Sequence, residues 1–207
     1  MFKSSLLALT LLFAVAAQAG DPPPPPFVES ANQSGPPAPP ADLAQIILVE
    51  PINKIQGLFP NGIFELTGEQ RKLVAVTSWR SKTVLLLPPG KHQLFATVGA
   101  AIGHAMEVNV EAGKRYYVLL RFIYANGMQL RPLRPSGTSE YRVDGKDFAK
   151  WMKSTRWIEM SPDAEAYFAK LSEFVDKGQQ KAIENWQAKT AAEVAELTLN
   201  PEDAVAF

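Results

Sequence analysis

The sequence predicts a mainly β fold with an α tail, in which an antiparallel β-sandwich of about seven or eight strands precedes a C-terminal helical hairpin. Between residues 44 and 135, short apolar runs rich in β-branched and aromatic residues recur about every ten residues, separated by turn-forming residues. After Pro135 the apolar residues recur at helical spacing instead. No helix that could connect parallel strands is visible before Asp144, so antiparallel pairing is expected.

Eight strands follow from these runs and from the turns between them. Proline and glycine break the pattern at residues 60–62 and 88–90, and Gly113 breaks it at residues 112–114. The predicted strands cover residues 45–49, 62–66, 73–77, 83–87, 93–98, 106–110, 115–124 and 128–133.

The strands at residues 106–110 and 115–124 are predicted to form a hairpin through the turn at Gly113. The first alternates strictly, which directs Met106, Val108 and Val110 inward. The second is longer and almost entirely apolar, so we expect a central strand that is covered on both faces.

Two helices are predicted in the tail, which comprises residues 136–207 and begins with a connector. Ser161 and Pro162 are a favourable helix start, and Gly178 is a natural helix end. A second helix is expected from about residue 180 to just before residue 200. The first helix carries its apolar residues on one face, so the tail should dock on the sandwich or close on itself; these residues are Ala164, Tyr167, Phe168, Leu171, Phe174 and Val175.

The N-terminus has the pattern of a cleavable secretory signal over residues 1–19. A basic start precedes a short apolar stretch and a small-residue cleavage site, with cleavage expected between Ala19 and Gly20. Residues 20–43 hold 9 of the 17 prolines in the chain and are predicted to be a disordered linker. We therefore expect a periplasmic or secreted protein whose mature chain has no transmembrane helix.

Charge and cysteine content exclude several classes of function. Removing the predicted signal would leave 20 basic and 21 acidic residues, a balance that gives no attraction to nucleic acid. The chain has no cysteine, so it offers no lipid-modified cysteine, no thiolate metal ligand and no thiol nucleophile. With only two histidines, it also has no recognisable zinc-binding pair. We expect no metal and no cofactor.

Two segments of the predicted sandwich carry a family likeness. Residues 84–94, VLLLPPGKHQL, and residues 108–118, VNVEAGKRYYV, share an order of strand, Pro-Gly-x-His turn, strand, Ala-Gly-Lys turn and strand. In this the chain resembles the bacterial exported family catalogued as domain of unknown function 2846, and the β-sandwich modules called PEGA domains. The resemblance covers about residues 44–132 and implies a small, non-catalytic, envelope-associated sandwich, with no catalytic residue to carry over.

A few residues are candidates for binding contacts. His104 follows a loop of small residues, and Trp79 lies in a predicted loop where its ring could contact a sugar or a partner. Arg131 and Arg134 belong to a mildly basic stretch that could face an acidic partner or could be a solvated connector. His92 adjoins a turn and is expected to bond a loop carbonyl. No catalytic constellation is recognisable.

These observations favour a non-catalytic interaction or structural module of the bacterial cell envelope, binding an envelope protein or a cell-wall polymer. The alternative is an envelope hydrolase or a carbohydrate-binding protein that uses Trp79, His104 and nearby carboxylates. The two hypotheses differ in whether Trp79 and His104 line one concave pocket.

Overall fold

A computed structural model describes residues 24–52, 59–97, 103–124 and 126–207. The predicted signal, including Ala19 and Gly20, lies outside the described residues. The strands are β1 Phe27–Glu29, β2 Ala44–Glu50, β3 Asn61–Thr67, β4 Gln70–Thr77, β5 Ser81–Leu87, β6 Gly90–Thr97, β7 His104–Val110, β8 Arg115–Ile123, β9 Gly127–Pro132, β10 Arg156–Met160 and β11 Thr198–Leu199. The helices are α1 Lys146–Ser154, α2 Ala164–Ala169, α3 Ser172–Gln187 and α4 Ala191–Glu196, followed by a short 3₁₀ helix at Pro201–Asp203.

The strands form two sheets that enclose the main hydrophobic core. One sheet has six strands in the order β1-β10-β5-β2-β8-β9, and the other has five in the order β11-β7-β6-β3-β4. Ile46, Ile63, Leu94, Met106 and Leu120 are fully buried between them. Alternate residues of β2, β5, β7 and β8 point into this core, as the sequence pattern requires.

All eight predicted strands are present, but the predicted strand number and purely antiparallel pairing are wrong. The described residues form eleven strands in two mixed sheets, because β1, β10 and β11 lie outside the predicted sandwich region. β2 runs parallel to β8, β10 to β5, and β11 to β7. β2 and β8 need no helix between them, since the chain between them passes through β3, β4, β6 and β7 of the other sheet and through β5 on the far side of β2.

The predicted hairpin of β7 and β8 is also wrong. β7 is paired on both edges, with β6 and β11, so it has no edge left for β8. Gly113, at a φ of 69°, instead turns the chain from one sheet into the other. The hydroxyl of buried Tyr116 accepts a hydrogen bond from the Glu111 N–H at 3.0 Å and fixes this crossing. β8 is nevertheless a central strand, between β2 and β9.

The tail contains no two-helix hairpin with a break at Gly178. The chain breaks earlier, between α2 and α3, and Gly178 lies inside α3, where it is buried. A Cβ atom on Gly178 would come within 2.5 Å of Thr97 Oγ1 in β6. Glycine at this position thus allows α3 to approach the sheet closely and does not end the helix.

The tail docks on the outer face of the five-stranded sheet. Phe168 of α2 packs edge-on against Phe64 of β3, with ring centroids 5.7 Å apart, and Val175 of α3 is buried in the same cluster. Phe174, predicted to be on the covered face, is 43% exposed. The tail thus adopts docking on the sandwich, one of the two arrangements expected from the sequence, while the exposure of Phe174 differs from the predicted apolar face.

The described part of the proline-rich segment is ordered against the sandwich, so its prediction as a disordered linker is wrong for residues 24–43. Residues 27–29 include no proline, so each keeps the backbone N–H group that strand pairing needs. These residues pair with β10 as strand β1. Gly35 then packs against the Trp157 ring. A Cβ atom added to Gly35 would lie 3.6 Å from the nearest carbon of that ring. Residues 30–43, called here the arm, therefore form part of the folded surface.

Helix α1 covers part of the outer face of the six-stranded sheet. Trp151 and Met152 of α1 pack against a cluster that contains Ile47, Val49 and Trp157. Among the described residues, no helix has the length and apolar character needed to cross a membrane.

Candidate functional site

Trp79 and His104, the two predicted contact residues, lie in different parts of the fold. Trp79 is half-buried in the turn between β4 and β5, where the Arg156 guanidinium stacks over its ring at 4.7 Å. His104 begins β7, and two strands separate it from Ala75, four residues before Trp79. Three strand spacings amount to roughly 14 Å. The fold therefore does not bring these residues into one site.

Both histidines hold turns. His104 Nε2 donates to the Asn126 carbonyl at 2.7 Å, and burial lowers the pKa of His104, which favours the neutral ring. His92 bonds the Pro88 carbonyl through Nε2 at 2.9 Å and Glu65 through Nδ1 at 2.6 Å, which confirms its predicted turn contact. These bonds tie neighbouring loops to the strands.

Arg131 and Arg134 lie together and bind the end of the chain. Arg131 donates to Glu196 at 3.1 Å and stacks over Tyr141 at 4.7 Å. Arg134 forms an ion pair with Asp203 and donates to the Ala195 carbonyl at 3.0 Å. Their guanidinium groups are thus engaged within the chain, in contacts that hold α4 and the last turn against β9.

A concave, largely apolar surface lies where β5 and β10 diverge. β5 pairs with β2 along its whole length but with β10 only at Ser81 and Lys82. β10 then continues beside β1 instead. Within the described chain, the β5 edge from Thr83 to Leu87 has no strand partner on this side. We call the resulting depression, between Thr83–Leu86 and Ile158–Met160, the β5 groove.

The arm forms the outer wall of the β5 groove and is fixed by backbone and side-chain bonds. Arg115 donates to the Pro37 carbonyl at 2.6 Å and to Gln45 Oε1 at 2.6 Å. Gln33 brackets Trp157, since its Oε1 accepts from the Trp157 N–H and its Nε2 donates to the Trp157 carbonyl, each at 2.9 Å. Several bonds thus hold the wall in place.

The groove has a volume of about 410 Å³ and is lined mostly by apolar groups. Val74 and Ala75 lie at its base; they belong to β4 of the other sheet and line the groove where β5 and β10 diverge. Leu86 and Met160 at its sides are each 43% exposed. The volume falls within the usual range for ligand pockets, about 300–1,000 Å³.

Glu159 is the single acidic or basic residue among those that line the groove. It lies on β10 and is exposed. One of its carboxylate oxygens accepts a hydrogen bond from the Ser30 hydroxyl at 2.5 Å. The groove therefore combines apolar walls with one negative charge.

A buried polar cluster lies where β2, β3 and β4 meet. Glu50 and Asn61 are buried, and Asn61 Nδ2 donates to Glu50 Oε2 at 2.9 Å. Burial raises the pKa of the Glu50 carboxyl to about 7, an effect that the neighbouring Thr77 and Asn61 side chains and the charge of Arg156 only partly oppose. An acidic residue at the end of a predicted strand is the sequence feature that marks this cluster, and it does not indicate burial.

Lys82 is a second buried ionisable group. Its ammonium donates to the Met152 carbonyl at 2.8 Å and to the Thr155 carbonyl, at the C-terminal end of α1, and lies 5.0 Å from the Trp157 ring centroid. Burial lowers the pKa of Lys82. Since a cation at a helix C-terminus is favourable, Lys82 serves to attach α1 to β5.

No group of three or more histidine, cysteine, aspartate or glutamate side chains suited to a metal ion occurs among the described residues. The candidate functional surface is the β5 groove, which is not among the sites expected from the sequence. The sequence feature that points to the groove is the unbroken apolar run at residues 84–87. Such a run indicates a strand that is covered on both faces, yet Leu86 is exposed, so part of this strand still has surface to cover.

Comparison with known proteins adds no identification. No protein-family model matches the chain, and no curated protein matches it significantly. The likeness to domain of unknown function 2846 and to PEGA modules thus stays a prediction from the two quoted segments.

Proposed function

We propose that the protein is a non-catalytic interaction module of the bacterial cell envelope that binds a partner in the β5 groove. The groove is the observation that carries the proposal, since a fixed, largely apolar depression of this size is typical of a binding site. The predicted export signal supports an envelope location. The exposed Leu86 and Met160 supply apolar surface that a partner would cover.

The alternative, a hydrolase or carbohydrate-binding protein built on Trp79 and His104, has less support. The separation of these residues by intervening strands leaves the alternative without its proposed site. Arg156 also occupies one face of the Trp79 ring. A sugar would need such a face for stacking.

Photocrosslinking in intact cells tests the proposal. A photoreactive amino acid at position 86 should capture a specific envelope protein. The matched control is the same amino acid at position 174, because Leu86 and Phe174 are both 43% exposed but Phe174 lies on α3, away from the groove. Equal capture at both positions would contradict the proposal. Absence of capture at position 86, with retention of the protein on purified cell wall, would favour a polymer-binding protein instead.

A further inference from the structure

We propose that the β5 groove binds an extended peptide segment of its partner, which pairs with the open edge of β5 as an added strand. The inference rests on the proposed function and names the chemistry of the partner. The segment carries apolar side chains at alternate positions and a basic residue near Glu159.

The backbone of β5 supplies the first part of the argument. The Arg156 N–H donates to the Arg80 carbonyl at 2.9 Å, so the backbone groups of residue 80 face β10. Backbone groups of alternate residues in a strand point to the same side. The N–H and C=O groups of Lys82, Val84 and Leu86 therefore face β10. Beyond Lys82, β10 has moved away, and these groups of Val84 and Leu86 face the groove.

An extended backbone is the ligand that fits such an edge. Strand addition uses main-chain hydrogen bonds for affinity and neighbouring pockets for alternate side chains. The free stretch from Thr83 to Leu87 is about 17 Å long at 3.4 Å per residue, which suits a segment of five or six residues. A helix could offer this edge only side-chain groups, because its own backbone N–H and C=O groups are already bonded.

The groove lining indicates the side chains of the segment. Val84 and Leu86 line the side of the groove on β5, and Val74 lies at its base, so side chains directed into the gap must be apolar. Glu159 is the single charge at the groove, and Ser30 engages one of its oxygens. A lysine or arginine of the segment would complement this carboxylate.

The test measures binding of fluorescein-labelled six-residue peptides, in which valine alternates with threonine or lysine, to the purified protein by fluorescence anisotropy. Methylating the alternate backbone nitrogens that face β5 should weaken binding at least tenfold, since about 1 kcal/mol or more is lost with each hydrogen bond. Methylating the other set should leave binding within about twofold. Replacing the lysine by threonine should weaken binding several-fold, and Glu159→Gln should remove that difference.

Protein variants provide a matched pair at one position. Leu86→Ala removes most of the leucine side chain and keeps the backbone N–H of residue 86, which faces the groove. Leu86→Pro removes the leucine side chain and this N–H as well. Proline is tolerated here because the lost N–H does not pair with β2. Leu86→Pro should bind roughly tenfold more weakly than Leu86→Ala. Phe174→Ala should bind as the unchanged protein does.

The outcomes separate the two proposals. Crosslinking at position 86 together with equal effects of both methylation sets would overturn strand addition and leave the interaction module standing. Peptide binding unaffected by Leu86→Ala and Leu86→Pro would place the site elsewhere and also overturn it. Self-association of the protein that Leu86→Pro abolishes would assign the edge to a second copy of the chain. Failure of both peptide binding and crosslinking would overturn both proposals.

Discussion

Ionising Glu50 should destabilise the folded protein, because its side chain is fully buried and has only partial compensation. Asn61 donates to one carboxylate oxygen, while the other, Oε1, has no hydrogen-bond donor within the described chain. Burial raises the pKa of Glu50 from 4.5 to about 7 in the folded state. The unfolded chain, where the carboxyl is solvated, should keep the lower value.

The sign and size of the effect follow from this difference in pKa. Between the two pKa values the folded state holds the proton and the unfolded state has released it, so stability falls as the pH rises. Below pH 4.5 both states are protonated and the contribution of Glu50 is fully present. It is lost progressively up to about pH 7, and the total loss is about 3 kcal/mol at 1.36 kcal/mol per pKa unit.

Urea unfolding of the unchanged protein and of Glu50→Gln, measured at several pH values from about 4 to 8, tests this reasoning. Glutamine keeps the acceptor oxygen for Asn61 but cannot ionise. The free energy of unfolding of the variant relative to the unchanged protein should therefore increase with pH by about 3 kcal/mol. This difference isolates Glu50 from other titrating groups, including Asp203 and His104. Parallel pH profiles for the two proteins would refute the account of Glu50.

Three further predictions concern packing and are measured by urea unfolding at neutral pH. Phe168→Ala should cost about 3–5 kcal/mol as a core truncation, whereas Phe174→Ala should cost about 1 kcal/mol or less, and equal costs would contradict the orientation of α2 and α3. Gly178→Ala should cost about 1–3 kcal/mol through its contact with Thr97, and adding Thr97→Ala should recover part of this loss. Lys82→Met should cost about 1–3 kcal/mol by leaving carbonyls at the end of α1 without their donor, while exposed Lys153→Met should have little effect.

Local sequence patterns predict the strands well and their partners poorly. The alternation of Met106, Val108 and Val110 identifies both a strand and its buried face, because period-two burial is encoded within a few residues. The same pattern contains no information on which sheet the next strand joins. It therefore predicts β8 beside β7, although β11, whose residues lie about 90 positions after their partners in β7, occupies that edge.

Glycine and proline are equally ambiguous without the structure. Gly178 has the position expected of a helix end, yet its role is close contact with Thr97, which no local pattern reveals. The prolines of the arm indicated a linker, while the bonds of Pro37 to Arg115 depend on residues far along the chain. The β5 groove could not be predicted for the same reason, since it results from the divergence of two strands distant in sequence.

The wide separation of paired strands has a consequence for how the protein folds. Gln45 and Arg115, neighbours in the parallel pair of β2 and β8, are 70 residues apart, and Ser30 bonds Glu159 across 129 residues. Folds dominated by such distant contacts fold slowly, because long loops must close before the contacts form. β1 cannot pair until its partner β10 has been synthesised. The arm likewise cannot pack until Trp157 has been synthesised. A chain synthesised from its N-terminus should therefore be unable to complete this fold until most of its 207 residues have emerged, and its early strands must stay unpaired until then.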